Sequence, residues 1–194
     1  MSGIGASDAI AVMGVSPWLT PNELWAVKTE RKRPQKSMPW MRRGLELEPI
    51  ARREYERLTG IKVESVCVEH DSVSYLLATL DGVNFTHQKL VEIKCPGEKD
   101  HAMALRGRIP DKYVWQLVHQ LAITGYSQMD YFSFDGERGV ILSFKRDLGL
   151  EKRLLHAHRE FWKSVVRDIE PTPPKVESSF QESLAKVIAF RGRK

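Results

Sequence analysis

The apolar positions of this chain change period several times, and those changes mark out its elements. Ser7 precedes Asp8-Ala-Ile-Ala-Val-Met13, which reads as a short helix with Ser7 as N-cap and Gly14 as its stop. Thr20-Pro-Asn-Glu23 then opens a second helix, with a capping box and proline at the first helical position. The basic segment Lys28 to Lys36, broken by Pro34, reads as a surface loop. From Trp40 to Thr59, Leu47, Ile50, Ala51, Tyr55 and Leu58 recur at helical spacing, Gly60 stops the run, and Pro49 either kinks this helix or marks its true start. Strand patterns follow at Ile61 to Val68, Val73 to Leu80 and Leu90 to Cys95, with turn residues from Gly82 to Gln88 and a stop at Pro96-Gly97.

The second half alternates the same way. His101 to Arg106 and Asp111 to Thr124 read as helices, Met129 to Phe134 and Gly139 to Phe144 as strands around the turn Asp135 to Arg138, and Glu151 to Arg167 as a long helix. Pro171 to Pro174 is a linker and Phe180 to Phe190 a last helix, so one domain over 1–170 carries a tail over 171–194. Helices flanking a mixed central sheet make an α/β or α+β domain. In the helix from Asp111, residues Val114, Trp115, Val118, Leu121 and Ala122 form the apolar stripe, while Gln116, His119 and Gln120 fall on the opposite side.

Candidate chemistry lies in the hairpin. Asp81 and Glu92 stand eleven positions apart, and Lys94 follows Glu92 after one residue. Side chains alternate along a strand, so Leu90, Glu92 and Lys94 share one face while Val91, Ile93 and Cys95 turn into packing. Two hard carboxylates, joined by the Ile93 carbonyl, suit Mg²⁺. A neighbouring lysine can align or deprotonate a water aimed at a phosphodiester. An exposed hairpin salt bridge would need the same residues, and local pattern alone leaves both open. A second Glu-x-Lys, Glu30-Arg31-Lys32, lies in a charged run without a strand pattern and reads as solvated surface.

Composition narrows the class. The chain has 194 residues, enough for one domain with a real core, and 42% of them are hydrophobic. No apolar run approaches a membrane span and the N-terminus lacks a signal pattern, so a soluble cytoplasmic protein is expected. Cys67 and Cys95 lie far apart without a metal-binding partner motif and read as packed thiols. A net charge of +5 and a pI near 9.2 are compatible with a polyanionic partner, and arginines cluster at Arg42-Arg43, Arg52-Arg53, Arg106 and Arg108. Trp18, Trp25 and Trp40 are core residues or base-stacking ones.

Five collinear segments carry a resemblance: Gly3-Ile-Gly-Ala-Ser-Asp8, Ser16-Pro-Trp to Trp25, Arg43-Gly-Leu-Glu-Leu-Glu-Pro-Ile-Ala51, the Asp81 to Pro96 hairpin, and Pro110 to Gly125. Together, over roughly residues 3–125, the chain resembles the lambda exonuclease family, the YqaJ-like viral recombinases of the PD-(D/E)xK nuclease superfamily. The resemblance implies a restriction-endonuclease-like core and a Mg²⁺-dependent 5′-to-3′ exodeoxyribonuclease, with Mn²⁺ as a substitute. Such an enzyme digests one strand of linear duplex DNA and leaves 3′ single strands for recombination by annealing.

By the same resemblance Asp81, Glu92, Glu48 and the Ile93 carbonyl hold metal, Lys94 serves the hydrolytic water, and Gln116 positions that water or the scissile phosphate. Glu46 is the exposed neighbour. Gly5 and Ser7 inherit a role at the 5′-phosphate, and Arg43, His119 and Gln120 become candidate DNA contacts. The family's arginine ahead of Gly3-Ile-Gly5 has no counterpart here, so another basic residue serves, the true start lies upstream, or end recognition differs. A ring-shaped homotrimer, a single-strand annealing protein as partner and a phage or prophage origin in a bacterial cell are also implied. A structure-specific endonuclease or resolvase of the same superfamily, and a DNA-binding scaffold without catalysis, are the alternatives.

Overall fold

The computed structural model describes residues 3–34, 38–172 and 188–190; the side chains of Trp40, Met41 and 188–190 lie outside what is described. Six strands form one sheet in chain order: β1 Glu64–His70, β2 Val73–Asn84, β3 Lys89–Lys94, β4 Gln128–Phe134, β5 Gly139–Lys145 and β6 Ile188–Phe190. Neighbouring strands are antiparallel except β3 and β4, which run parallel, so the sheet is mixed as expected. The parallel pair needs a crossover, and α4 (Glu98–Leu105) with α5 (Asp111–Thr124) provides it.

The remaining helices are α1 (Ala9–Val12), preceded by a 3₁₀ turn over Ala6–Asp8, then α2 (Pro21–Lys28), α3 (Pro39–Thr59) and α6 (Leu148–Arg167). On one sheet face α3 packs Ala51 and Tyr55 against Val91, Ile93, Phe132 and Phe134. The other face carries Leu80, Leu90, Tyr131, Leu142 and Phe144, covered by α5 residues such as Trp115 and Val118 and by Leu150 and Leu154 of α6. A third cluster joins Ile4, Val12, Leu24 and Trp25 to Phe161 and Val165. The helical period places α5 at its expected bounds, because eight of its residues are buried.

Several expectations are corrected. Thr20 does cap α2, its Oγ1 accepting from the Glu23 N–H at 3.2 Å. Ser7, however, is exposed inside the 3₁₀ turn, and the cap position belongs to Gly5, whose N–H donates to Asp8 Oδ2 at 2.9 Å. Pro49 neither starts nor breaks α3, which runs through it. β1 begins later and ends later than its apolar pattern implies. Cys67 is exposed rather than packed, whereas Cys95 is half-buried beside Val91 and Ile93. Where the tail is described, Ile188–Phe190 is a strand on β5 and not helix; 180–187 lie outside the described residues.

Candidate active site

The largest correction is also the one that builds the site. β2 does not end at Leu80; it continues through Asp81 and Gly82 to Asn84. Between the pairs Val66↔Leu80 and Glu64↔Val83 one residue of β1 faces two of β2, Asp81 and Gly82. This is a bulge, and bulges re-aim side chains. Leu80 and Val83, three apart, consequently both enter the core cluster beneath α5. Asp81 is turned toward β3, where its Oδ2 accepts the Ile93 N–H at 2.9 Å. Glycine is needed next to it, because a Cβ at Gly82 would lie 2.7 Å from both Val63 Cγ2 and Val91 Cγ1.

Alternation in β3 holds as read from the sequence. Glu92 and Lys94 share the face of buried Leu90, toward α5, and Lys94 Nζ forms an ion pair with Glu92 Oε1. Glu92 is 1% exposed. A carboxylate so buried needs several donors, and α5 supplies two from consecutive turns. Gln116 Nε2 donates to Oε1 and Gln120 Nε2 donates to Oε2, each at 2.6 Å. Gln116, expected at the hydrolytic water or the scissile phosphate, here holds Glu92, while Gln120, expected at DNA, is fully buried under the site.

Charge sets the electrostatics. Burial first, and then the facing Glu92, push the Asp81 carboxyl up to about 8. Burial works against the Lys94 ammonium, but Glu92 and Asp81 outweigh it and hold its pKa above the ordinary lysine value. Tyr113 underlies this lysine, with Nζ 5.4 Å from the ring centroid. Glu48, half-buried on α3, is paired with Arg52 at 2.7 Å, and Arg52 Nε also donates to the Asp81 carbonyl at 2.8 Å. The i,i+4 spacing of Glu48 and Arg52 is the signal that sequence reading passed over. Glu46 is exposed, as expected.

Among the described residues no three His, Cys, Asp or Glu side chains are gathered as ligands in this arrangement, since Glu92 is taken by two amides and a lysine and Glu48 by Arg52. The donor set still fits a hard divalent cation. Two mutually repelling carboxylates at one sheet position share a single ammonium, Lys94, and Asp81 is still pushed toward protonation, so the added positive charge of an oxygen-seeking metal would suit them.

The other candidates scatter. His119 is 1% exposed, too buried to meet DNA: Nε2 bonds the Leu77 carbonyl at 2.9 Å and Nδ1 meets His158 Nε2 of α6 at 2.9 Å. Arg43 is exposed and donates to the Asp135 carbonyl at 2.9 Å. Residues 3–5 are not a run of free N–H groups, because the Ile4 N–H donates to the Tyr75 carbonyl at 2.6 Å and that of Gly5 is held by Asp8. Ser7 does line a cleft with Asp8, Lys28, Cys67, Glu69 and Thr79, in which Lys28 pairs with Asp8 at 2.7 Å.

A model of the YqaJ-like viral recombinase domain matches residues 1–127. The chain belongs to this family. Within it, the chain is 28% identical over 195 residues to the uncharacterized protein YqaJ of Bacillus subtilis strain 168; the match takes in 96% of this chain and 60% of that relative, so the chain spans about three-fifths of the relative's length. Its fold is similar to the crystal structure of an alkaline exonuclease, LHK-Exo, from Laribacter hongkongensis, with a TM-score of 0.74 and 26% identity over 95% of this chain and 94% of the other. The same enzyme in complex with dAMP gives 0.73 and 25%, with the same coverage. A phage related exonuclease from Haemophilus somnus 129PT, at 12% identity over 86% of this chain and 96% of the other, shares the fold with a TM-score of 0.60. The YqaJ-like match ends just after α5, so it takes in every residue of the carboxylate and lysine set.

Proposed function

We propose that this chain is a Mg²⁺-dependent exodeoxyribonuclease of the phage recombination type, working 5′ to 3′ on one strand of linear duplex DNA and leaving 3′ single strands. The observation that carries the reading is the buried set itself. Asp81 on a bulge, and Glu92 and Lys94 on the next strand, are brought together with Glu92 clasped by two glutamines of one helix. A solvated hairpin salt bridge has no use for such a clasp. Family membership and the likeness to alkaline exonucleases over nearly the whole chain support the same activity.

In this reading Asp81, Glu92 and the Ile93 carbonyl hold the metal, with Glu48 joining when Arg52 releases it. When bound, the metal supplies Lewis-acid stabilisation of charge on the scissile phosphate and lowers the pKa of an attacking water. The chain's own groups do the rest. Lys94 aligns the attacking water. Gln116 turns an amide toward that water or the phosphate, Gln120 keeps Glu92 from swinging away, and the surrounding apolar layers exclude bulk solvent. Arg43 and the Ser7 cleft are assigned to the DNA strand and its 5′ end. A ring-shaped homotrimer and a single-strand annealing partner belong to the same proposal; a monomer by size-exclusion chromatography with light scattering at micromolar concentration would refute the ring.

Glu92→Gln tests the site. The prediction is a loss on the order of 10³-fold in cleavage, the several kcal/mol that metal-held charge stabilisation is worth, with DNA binding retained. Cleavage within tenfold of the parent would remove Glu92 from the metal site.

A further inference from the structure

The site has an aromatic and cationic extension that the hydrolytic reaction does not use. Lys94 lies over one end of it, 5.4 Å from the Tyr113 ring centroid. The Lys112 ammonium stands 5.1 Å from the same ring and 5.4 Å from the ring of Trp18. Lys112 is itself held by Asp100 at 2.5 Å, and Tyr113 is backed by the Tyr131 ring at 5.9 Å between centroids. Trp18, Lys112, Tyr113 and Lys94 thus form one ladder of contacts that ends on the catalytic set.

Trp18 is not a core tryptophan. It is 50% exposed, whereas Trp25 and Trp115 are 6% and 2% exposed. Its backbone is nonetheless pinned, since the N–H groups of Trp18 and Leu19 both donate to Ser16 Oγ at 3.2 Å. A large aromatic left half in solvent, on an anchored turn and with a cation against it, forgoes hydrophobic burial. The benefit of that arrangement comes when another flat ring covers it. Exposed Arg106 and Arg108 lie on the loop leading into α5, close to Lys112 in sequence, with Arg108 paired to Asp111 at 3.5 Å, and are basic side chains of the kind a phosphodiester chain meets.

We infer that Trp18 is the stacking platform for an unpaired nucleobase of the strand being cut, with Lys112 serving the phosphate next to it. The occupant is a base splayed from a fraying duplex end or from a single strand, because paired bases have no free face to offer. This rests on the nuclease reading, and Trp18 acts as a positioning and specificity residue that sets how the strand enters.

The test is an abasic scan in EDTA, so that no cleavage intervenes. Linear duplexes carrying one abasic nucleotide at each of the first several positions of the strand end are bound by the full chain, by Trp18→Ala and by Trp18→Phe, and affinity is read by fluorescence anisotropy. Stacking on an aromatic predicts that one position costs the parent about tenfold in affinity, that Trp18→Phe keeps most of this penalty, and that Trp18→Ala loses it while binding the intact duplex about as weakly as the parent binds the abasic one. A 2-aminopurine at that position should be quenched by the parent and by Trp18→Phe but not by Trp18→Ala. DNA binding with a flat scan in every form overturns the platform and leaves the nuclease reading standing. No DNA binding by any form overturns both.

Discussion

Glu92 is among the most constrained side chains in the molecule, with two amides and an ammonium on its two oxygens. Among the described residues the Gln120 side chain serves only this clasp, its Oε1 having no partner there, so Gln120→Leu isolates the contribution. Hydrogen bonds to a charged group are worth about 1.5–3 kcal/mol, which predicts a melting temperature lower by roughly 3–12 °C in a domain of this size and a lower turnover number. An unchanged melt would show that Glu92 is held without it. The β3 alternation made Glu92 and Lys94 legible in sequence, because it needs only a period of two. Gln120 and His119 were not legible: lying opposite the apolar stripe, they read as solvent-facing, but from Leu117 to Ala122 every residue of α5 is buried. A polar residue on such a helix is buried with a partner, and only the fold names the partner.

At the scale of elements, the bulge in β2 decides where Asp81 points. Gly82→Ala would drive a methyl into Val63 and Val91, an overpacking that costs about 1–3 kcal/mol. The variant is predicted to unfold at lower urea concentration and to lose cleavage more than stability alone explains, because the strand must shift Asp81 to relieve the contact. Wild-type cleavage in a destabilised Gly82→Ala protein would detach the bulge from the chemistry. In sequence the apolar run stops at Leu80 and Gly82 falls among turn residues, since an isolated glycine signals a turn and a bulge equally.

The helices α5 and α6 meet at His119 and His158. Burial, only partly offset by the Leu77 carbonyl, holds His119 down to about 4, and burial with His119 alongside holds His158 well below its ordinary value. With folded pKa values below the unfolded value near 6.5, the pair's contribution to stability is full above pH 6.5 and is lost as pH falls toward 4. For His119 alone that is about 2 kcal/mol between pH 6.5 and 5. The raised Asp81 carboxyl contributes in the opposite sense, so the urea unfolding series belongs on an Asp81→Asn background. There the unfolding free energy should drop across this window, and NMR should show both imidazoles neutral at pH 5.5. Imidazoles titrating near 6.5 would contradict the assignment.

Over the whole molecule, a mixed sheet flanked by helices was readable from hydrophobic period, whereas the placing of α3 on one face and α5 and α6 on the other was not. The carboxylate set was readable from spacing strengthened by family likeness. What sequence could not give was register: which strand bulges, which glutamine faces in, and that residues 3–5 pair with β2 instead of waiting for a phosphate. No described helix is long and apolar enough to cross a membrane, and the excess of basic side chains suits a DNA partner.

Hydrolysis from a DNA end by the buried set around Glu92 is tested most directly with end-labelled DNA. Linear duplex labelled at either 5′ or 3′ ends is incubated with and without Mg²⁺, beside Asp81→Ala and a closed circular duplex. Release is expected from the 5′ label only, only in Mg²⁺, with the variant inactive and the circle intact. Cleavage of the circle, or equal cleavage by Asp81→Ala, would contradict it.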